Sequence, residues 1–452
     1  MKKLKLRLVL LIMLIRLFTA ETINAQNIEA ETNLANQQFE TAQAFLENES
    51  YDTAIVHFDS ASILYEKHQQ WRRYLQSETK RSICYQEQWL LDHAISTLKP
   101  AIDKTLMHIH ENDTIVADAY HALGIQYYYQ SKNDSTLFCW EKALKIRKLL
   151  LGEKHISVAN SCNNIGAVYS NANKYDMALA YFLKALLIEK ETLGEKSASV
   201  ADSYNNIGKV YDLKNEYDLS LEYYAKSLQL YKELFGEKHI DVAMNYNNIG
   251  VVYGNKNEYD LALEYYFKSL QIKKGIHCER NISYAVTYNN IGVVYGNKNE
   301  NDFALEYYFK SLQIYQELLG EKHAKVADSY NNIGTVYANK NEYGLALEYF
   351  DKSLQIKNEL FGEKHTDIAM TYNNIGSVCA DKCEYDLALR SYQKAITASL
   401  IHFNDTINVA SVPVIIAYLN WNELLQALQA KAEIFADHSK GLTGFGNLSG
   451  LK

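Results

Sequence analysis

The tetrapeptide Asn-Asn-Ile-Gly occurs at 163–166, 205–208, 247–250, 289–292, 331–334 and 373–376, always 42 residues apart. A constant interval of that size marks a supersecondary unit stacked on copies of itself, because one such unit cannot bury its own apolar face. One period upstream, His121-Ala122-Leu123-Gly124 keeps the apolar residue and the glycine. A period earlier Ser82 takes the glycine slot, with Tyr85, Ala94 and Ala101 downstream. A further degenerate unit begins at Ala42 and contains Phe45, Ala54, Phe58 and Ala61. The array therefore runs over roughly residues 34–403.

The spacing inside a unit is helical. Tyr246, Ile249, Gly250 and Tyr253 are 3, 1 and 3 residues apart and share one helix face. Asn257 precedes Tyr259-Asp260 and is suited to cap a second helix, whose apolar face is Ala262, Tyr266, Ser269 and Leu270. Gly236, within Leu234-Phe235-Gly236-Glu237-Lys238-His239, stands where a left-handed helix end is wanted. Each unit is thus two antiparallel helices, A and B. Gly250 and its equivalents let the helices approach, while Tyr246, Tyr253 and Tyr266 fill the space between one pair and the next. That placement accounts for 36 tyrosines, and only 2 prolines interrupt the chain.

An aromatic, then Leu/Ile-Gly and Tyr on helix A, followed by small, aromatic and small residues on helix B, resembles the tetratricopeptide repeat. The 42-residue period, the Gly-Glu-Lys-His turn and the following Val-Ala (Val242-Ala243, Val326-Ala327) are similar to the kinesin-light-chain subclass. Where related turns carry proline after the histidine, this chain has Ile156, Ile240, Ala324 or Thr366. The resemblance implies an all-α, right-handed superhelical solenoid of antiparallel helix pairs that binds a peptide or protein segment in its concave groove. Carried over position by position, the groove residues are Asn163, Asn205, Asn247, Asn289, Asn331 and Asn373, with their neighbours Asn164, Asn206, Asn248, Asn290, Asn332 and Asn374. Amides offer donors and acceptors, so such a ladder can hold a peptide backbone without demanding its sequence. They can equally bridge adjacent helices. Lys209, Asp202, Asp328 and Asp212 add charge to that face, and Val251 and Val293 leave its middle apolar.

Residues 1–25 carry Lys2, Lys3, Lys5, Arg7 and Arg16, an apolar run from Leu8 to Phe18, and a small residue at Ala25. That order reads as a cleavable secretory signal, with an uncleaved anchor as the alternative, since the run is about half of the ~20 residues needed to span a bilayer. The expected divisions are this signal at 1–25, degenerate repeats at 26–110, seven 42-residue units at 111–403, and a capping helix with a glycine-rich tail at 404–452. Asn422 to Phe435 supplies that helix. An exported, periplasmic or extracellular chain follows, with no stable membrane span once the signal is removed.

Net charge is −8, and more acidic still without the basic first segment, which argues against a nucleic-acid partner. Cys84, Cys139, Cys162, Cys278, Cys379 and Cys383 have no framework spacing and read as buried free thiols. His155, His239, His323 and His365 hold one turn slot each in different units and read as exposed turn residues. Helices pack about 8–10 Å apart, too far for one histidine per unit to share a metal. Cys379 and Cys383 replace Tyr337 and Asn341 of the preceding unit and lack further ligands. No phosphate loop, dinucleotide turn or nucleophile elbow occurs, so the expectation is a non-catalytic scaffold without metal or cofactor. The alternatives are the recognition arm of a caspase-like protease system of the CHAT kind, or the sensor part of an envelope signalling system.

Overall fold

Helix follows helix with only short turns between, as the 42-residue pattern requires. The structure, a computed structural model, describes residues 26–276, 281–399 and 426–434. The expected signal segment, Cys278 and the glycine-rich tail lie outside the described residues. The chain divides into two units, residues 1–230 and 231–452, with the division inside one helix.

The first unit holds α1 (residues 26–47), α2 (Tyr51–Lys67), α3 (Trp71–Glu87), α4 (Leu91–Leu106), α5 (Thr114–Tyr129), α6 (Asn133–Leu151), α7 (Ile156–Asn171), α8 (Tyr175–Leu193), α9 (Ala198–Leu213) and most of α10 (Tyr217–Phe235). The second holds α11 (Ile240–Asn255), α12 (Tyr259–Gly275), α13 (Ile282–Asn297), α14 (Asn301–Leu319), α15 (Ala324–Asn339), α16 (Tyr343–Phe361), α17 (Thr366–Asp381), α18 (Tyr385–Ser399) and α19 (residues 426–434). Odd-numbered helices up to α17 are helices A, and each pairs with the even-numbered helix B that follows. No described helix is long and apolar enough to cross a membrane.

Glycine on helix A is a seat for a ring. A Cβ on Gly250 would lie 2.7 Å from the Tyr266 ring, and one on Gly376 would lie 2.6 Å from Tyr392. In the first unit Gly166 is covered by Phe182 in the same way, at 2.9 Å. Helix B adds a hydroxyl to the contact: Ser269 Oγ donates to the Ala243 carbonyl at 2.6 Å, and Ser220 Oγ to Gly208 at 2.8 Å. Such close approach is open only to small residues.

Tyr266 fills the space toward the next pair as expected, in one buried cluster with Tyr284, Ile291 and Val294 of α13, and the helix-A tyrosines also stack inside their own hairpin. Tyr253 stacks on Tyr265 of its own hairpin at 5.4 Å, with Tyr246 at 5.9 Å from the same ring. Equivalent stacks are Tyr211 on Tyr223 and Tyr337 on Tyr349. The helix-B ring of each stack, absent from the expected set, lies one position before the aromatic that covers the glycine. Two adjacent rings therefore hold these hairpins shut from inside.

Both turns also depart from expectation. Asn257 does not cap helix B; it ends helix A in the left-handed region, φ 61°. Its N–H donates to Gly254 and the Glu258 N–H to Tyr253, which satisfies the last carbonyls of α11. Asparagine tolerates that backbone because its short amide finds a local partner, here the Tyr259 hydroxyl at 2.9 Å. Gly320, at φ 80° and ψ 165°, lies outside the left-handed helical region, in a corner that only glycine occupies comfortably. The histidine after it then caps the next helix. His323 Nδ1 accepts from the Lys325 N–H at 3.1 Å, and His155, His239 and His365 repeat the bond. These histidines are half-buried structural caps rather than exposed turn residues. Where the turn loses its histidine, Asn281 takes over, accepting from Ser283 N–H at 2.9 Å.

Candidate functional site

Along helix A, the asparagine pair sits three and two residues before the ring-covered glycine, on the edge of the apolar face. That position brings successive helices A into amide contact. In the second unit Asn290 Nδ2 donates to Asn247 Oδ1 at 3.3 Å, Asn332 to Asn289 at 3.0 Å, and Asn374 to Asn331 at 3.2 Å. The second amide of one hairpin thus holds the first amide of the hairpin before it. Asn247, Asn331 and Asn373 are buried, while Asn248, Asn289, Asn290, Asn332 and Asn374 are half-buried. In the first unit Asn163 Nδ2 donates to the Glu189 carboxylate at 2.9 Å, and Asn164, Asn205 and Asn206 are half-buried.

The bridges use the oxygen of the first amide and leave its nitrogen over. Among the described residues the Nδ2 groups of Asn289 and Asn331 have no hydrogen-bond partner. Asn331 is only 5% exposed, and it lines a cavity together with Asn289. The cavity, about 350 Å³, lies across α13, α15 and α17. Asn289, Asn331 and Asn332 line it beside Asp328, Asp367 and Lys325, with Met370 on its apolar side. Unpartnered amide donors next to carboxylates and an ammonium suit a polar, extended guest.

Beneath the amides lies a helix-B position that the sequence reading passed over. It is Arg147, Glu189, Lys273 or Lys357 in four hairpins, and Tyr231 or Tyr315 in two others. Lys273 is 1% exposed and donates to the Ser283 carbonyl and the Thr287 hydroxyl, both at 2.7 Å. Thr287 in turn lies 3.0 Å from Asn247 Oδ1, so the buried ammonium anchors the amide bridge. Lys357, fully buried, lies 3.4 Å from Asp328 of the cavity wall. Glu189 accepts from Asn163 and, at 2.6 Å, from Ser203; burial pushes its carboxyl above the ordinary range. The signal for this position was present: a slot whose charge changes sign along otherwise near-identical units.

Other expected positions fall as follows. Asp202 and Lys209 are exposed, Asp212 and Val251 half-buried, and Val293 exposed. Cys84, Cys139, Cys162 and Cys379 are buried free thiols; Cys383 is exposed, because it occupies the left-handed turn position at φ 60°. Among the described residues no three His, Cys, Asp or Glu side chains are placed to hold a metal.

The fold and this amide-lined face define a solenoid of helical hairpins of the protein-interaction kind. The tetratricopeptide repeat profile matches residues 115–186, 163–219, 199–275, 283–359 and 326–400, and the chain belongs to that family. No curated protein sequence matches it. Among solved structures it is similar to the apo quorum sensor NprR from B. thuringiensis, at 18% identity and TM-score 0.55, over 79% of this chain and 99% of that one. A Rap protein complexed with competence and sporulation factor is similar at 12% identity and TM-score 0.50, over 81% of this chain and 98% of the other. BtubC (BKLC) from P. vanneervenii is similar at 20% identity and TM-score 0.43, over 55% and 92% of the two chains.

Proposed function

We propose that this protein is a non-catalytic scaffold that binds an extended peptide or protein segment on the helix-A face of its repeats. The observation that carries the reading is the cavity across α13, α15 and α17, where the Asn289 and Asn331 nitrogens remain available as donors. Backbone carbonyls of a guest would accept from them, and Asp328 and Asp367 would favour a basic side chain alongside. The related fold of a Rap protein complexed with competence and sporulation factor supports a ligand-binding role. Export to the periplasm or beyond is part of the same proposal, resting on the basic-then-apolar order of residues 1–25.

Panning a random-peptide phage library on the full chain without its first 25 residues tests the binding role. Enriched peptides should bind the wild type and lose at least tenfold affinity to the Asn289→Ala/Asn331→Ala/Asp328→Asn variant. Failure to enrich, or equal binding by that variant, overturns the reading. Fractionation of cells expressing the intact chain, with N-terminal sequencing, checks export.

A further inference from the structure

Five hairpins carry a tyrosine at one helix-B slot: Tyr181, Tyr223, Tyr265, Tyr307 and Tyr349. Each ring stacks on a tyrosine of its own helix A at 5.4–5.7 Å. In α6 the same slot is Cys139. The opposing ring is retained as Tyr127, and so is the second neighbour, Tyr120. Among the described residues no ring stacks on Tyr127.

What the missing ring leaves is a cavity of about 490 Å³, walled by Tyr120, Tyr127, Phe138, Ile102, Leu123 and Cys139. Phe138 is a second departure from the repeat, standing where other units have Ala180 or a glutamate such as Glu222. It is 57% exposed and meets Tyr120 edge-on, at 6.5 Å and 82°. One substitution removes a ring from the stack, and its neighbour adds an aromatic wall to the gap. Burial pushes the Cys139 thiol up to about 12, so the floor of the cavity is uncharged. Asp103, Asp134 and Lys99 supply polar groups around it.

A second hairpin lacks the same rings and shows the contrast. Cys379 and Ser391 replace the stacked pair in α17 and α18. There Ile434 and Ala430 of the chain's own α19 pack against Cys379. The Cys139 gap has no such cover among the described residues.

We propose that the Cys139 cavity is a binding site for one phenol-class aromatic ring, seated on Tyr127 as the helix-B tyrosine is seated in the other hairpins. Aromatic rings prefer offset-stacked or edge-on partners, and this cavity presents Tyr127 for the first and Phe138 for the second. The ring belongs either to a free phenol or to a tyrosine side chain of another protein. This site is separate from the amide-lined cavity.

Titrating the full chain with p-cresol, the analogue of the missing side chain, should give saturable binding with Kd on the order of 1 mM or below, read by saturation-transfer NMR. Cys139→Tyr should refill the cavity, raise Tm and abolish that signal. Tyr223→Cys combined with Glu222→Phe, which gives α9/α10 the same gap beside Tyr204 and Tyr211 with the same aromatic wall, should add a second p-cresol site. 4-Methylcyclohexanol, of similar shape without a π face, should bind at least fivefold more weakly. N-acetyltyrosinamide binding alongside p-cresol assigns the site to a side chain, and p-cresol binding alone assigns it to a free phenol. No saturable binding by the wild type, or undiminished binding by Cys139→Tyr, overturns the proposal. If Cys139→Tyr does not fold, a Tyr223→Cys/Glu222→Phe variant without added p-cresol capacity overturns it equally.

Discussion

Asn374 Nδ2 lies 3.2 Å from Asn331 Oδ1, so an amide of the proposed binding face is also a tie between α15 and α17. This position therefore contributes to stability as well as to the proposed binding face. Asn331→Ala should lower unfolding free energy in urea by about 1–2 kcal/mol, since it strips an acceptor from a half-buried donor. Thr335→Ala, one turn along on an exposed position, should change it by less than about 0.5 kcal/mol. Equal effects would separate the tie from the scaffold's stability.

Gly250→Ala should destabilise by about 1–3 kcal/mol although alanine favours helix, because the new methyl would meet the buried Tyr266 ring at 2.7 Å. Gly296→Ala, with open space around its Cβ position, should instead stabilise by about 0.5 kcal/mol. Urea titrations of the two variants check the opposite signs.

His323→Ala should cost about 1 kcal/mol by removing the acceptor for the Lys325 N–H. His323→Asp should restore most of it, because a carboxylate caps the same N–H and suits the positive end of α15. Thermal melts of the pair distinguish a cap from a merely tolerated turn residue.

Glu189 is buried with Ser203 and Asn163 as partners, and burial raises its folded carboxyl above the ordinary range. Folding then takes up a proton over that interval. Wild-type stability should fall as pH climbs from the ordinary carboxylate range through the raised folded value, and level off beyond. Glu189→Gln should flatten this slope, so its Tm advantage over wild type should widen toward neutral pH. A constant Tm difference from pH 4 to 8 would contradict the assignment.

Much of the architecture was legible because it is local and repeated. The 3-1-3 spacing of Tyr246, Ile249, Gly250 and Tyr253 specifies a helix face, and six copies of Asn-Asn-Ile-Gly specify stacking of like on like. A close approach at glycine was legible too, but that an aromatic ring takes the space was not, since the ring that covers Gly250 belongs to the other helix of the pair. The turn details were not. Asn257 and Tyr259 are compatible with either end of the turn, and only the 6→1 bond from Glu258 N–H to Tyr253 decides that the asparagine ends helix A.

The candidate site divides the same way. Periodicity by itself determined that the asparagine pairs share one edge of successive helices, because a helix repeats direction every 3.6 residues whatever surrounds it. Which amide atoms remain over was decided by tertiary structure alone: packing brings Asn374 onto Asn331 and Asn332 onto Asn289, occupying the oxygens of Asn331 and Asn289 and leaving their nitrogens. The same holds for Cys139, whose spacing reads as one more buried thiol. Its meaning as an absent ring appears only when Tyr127 is seen facing the space, since a cavity is a relation between elements distant along the chain.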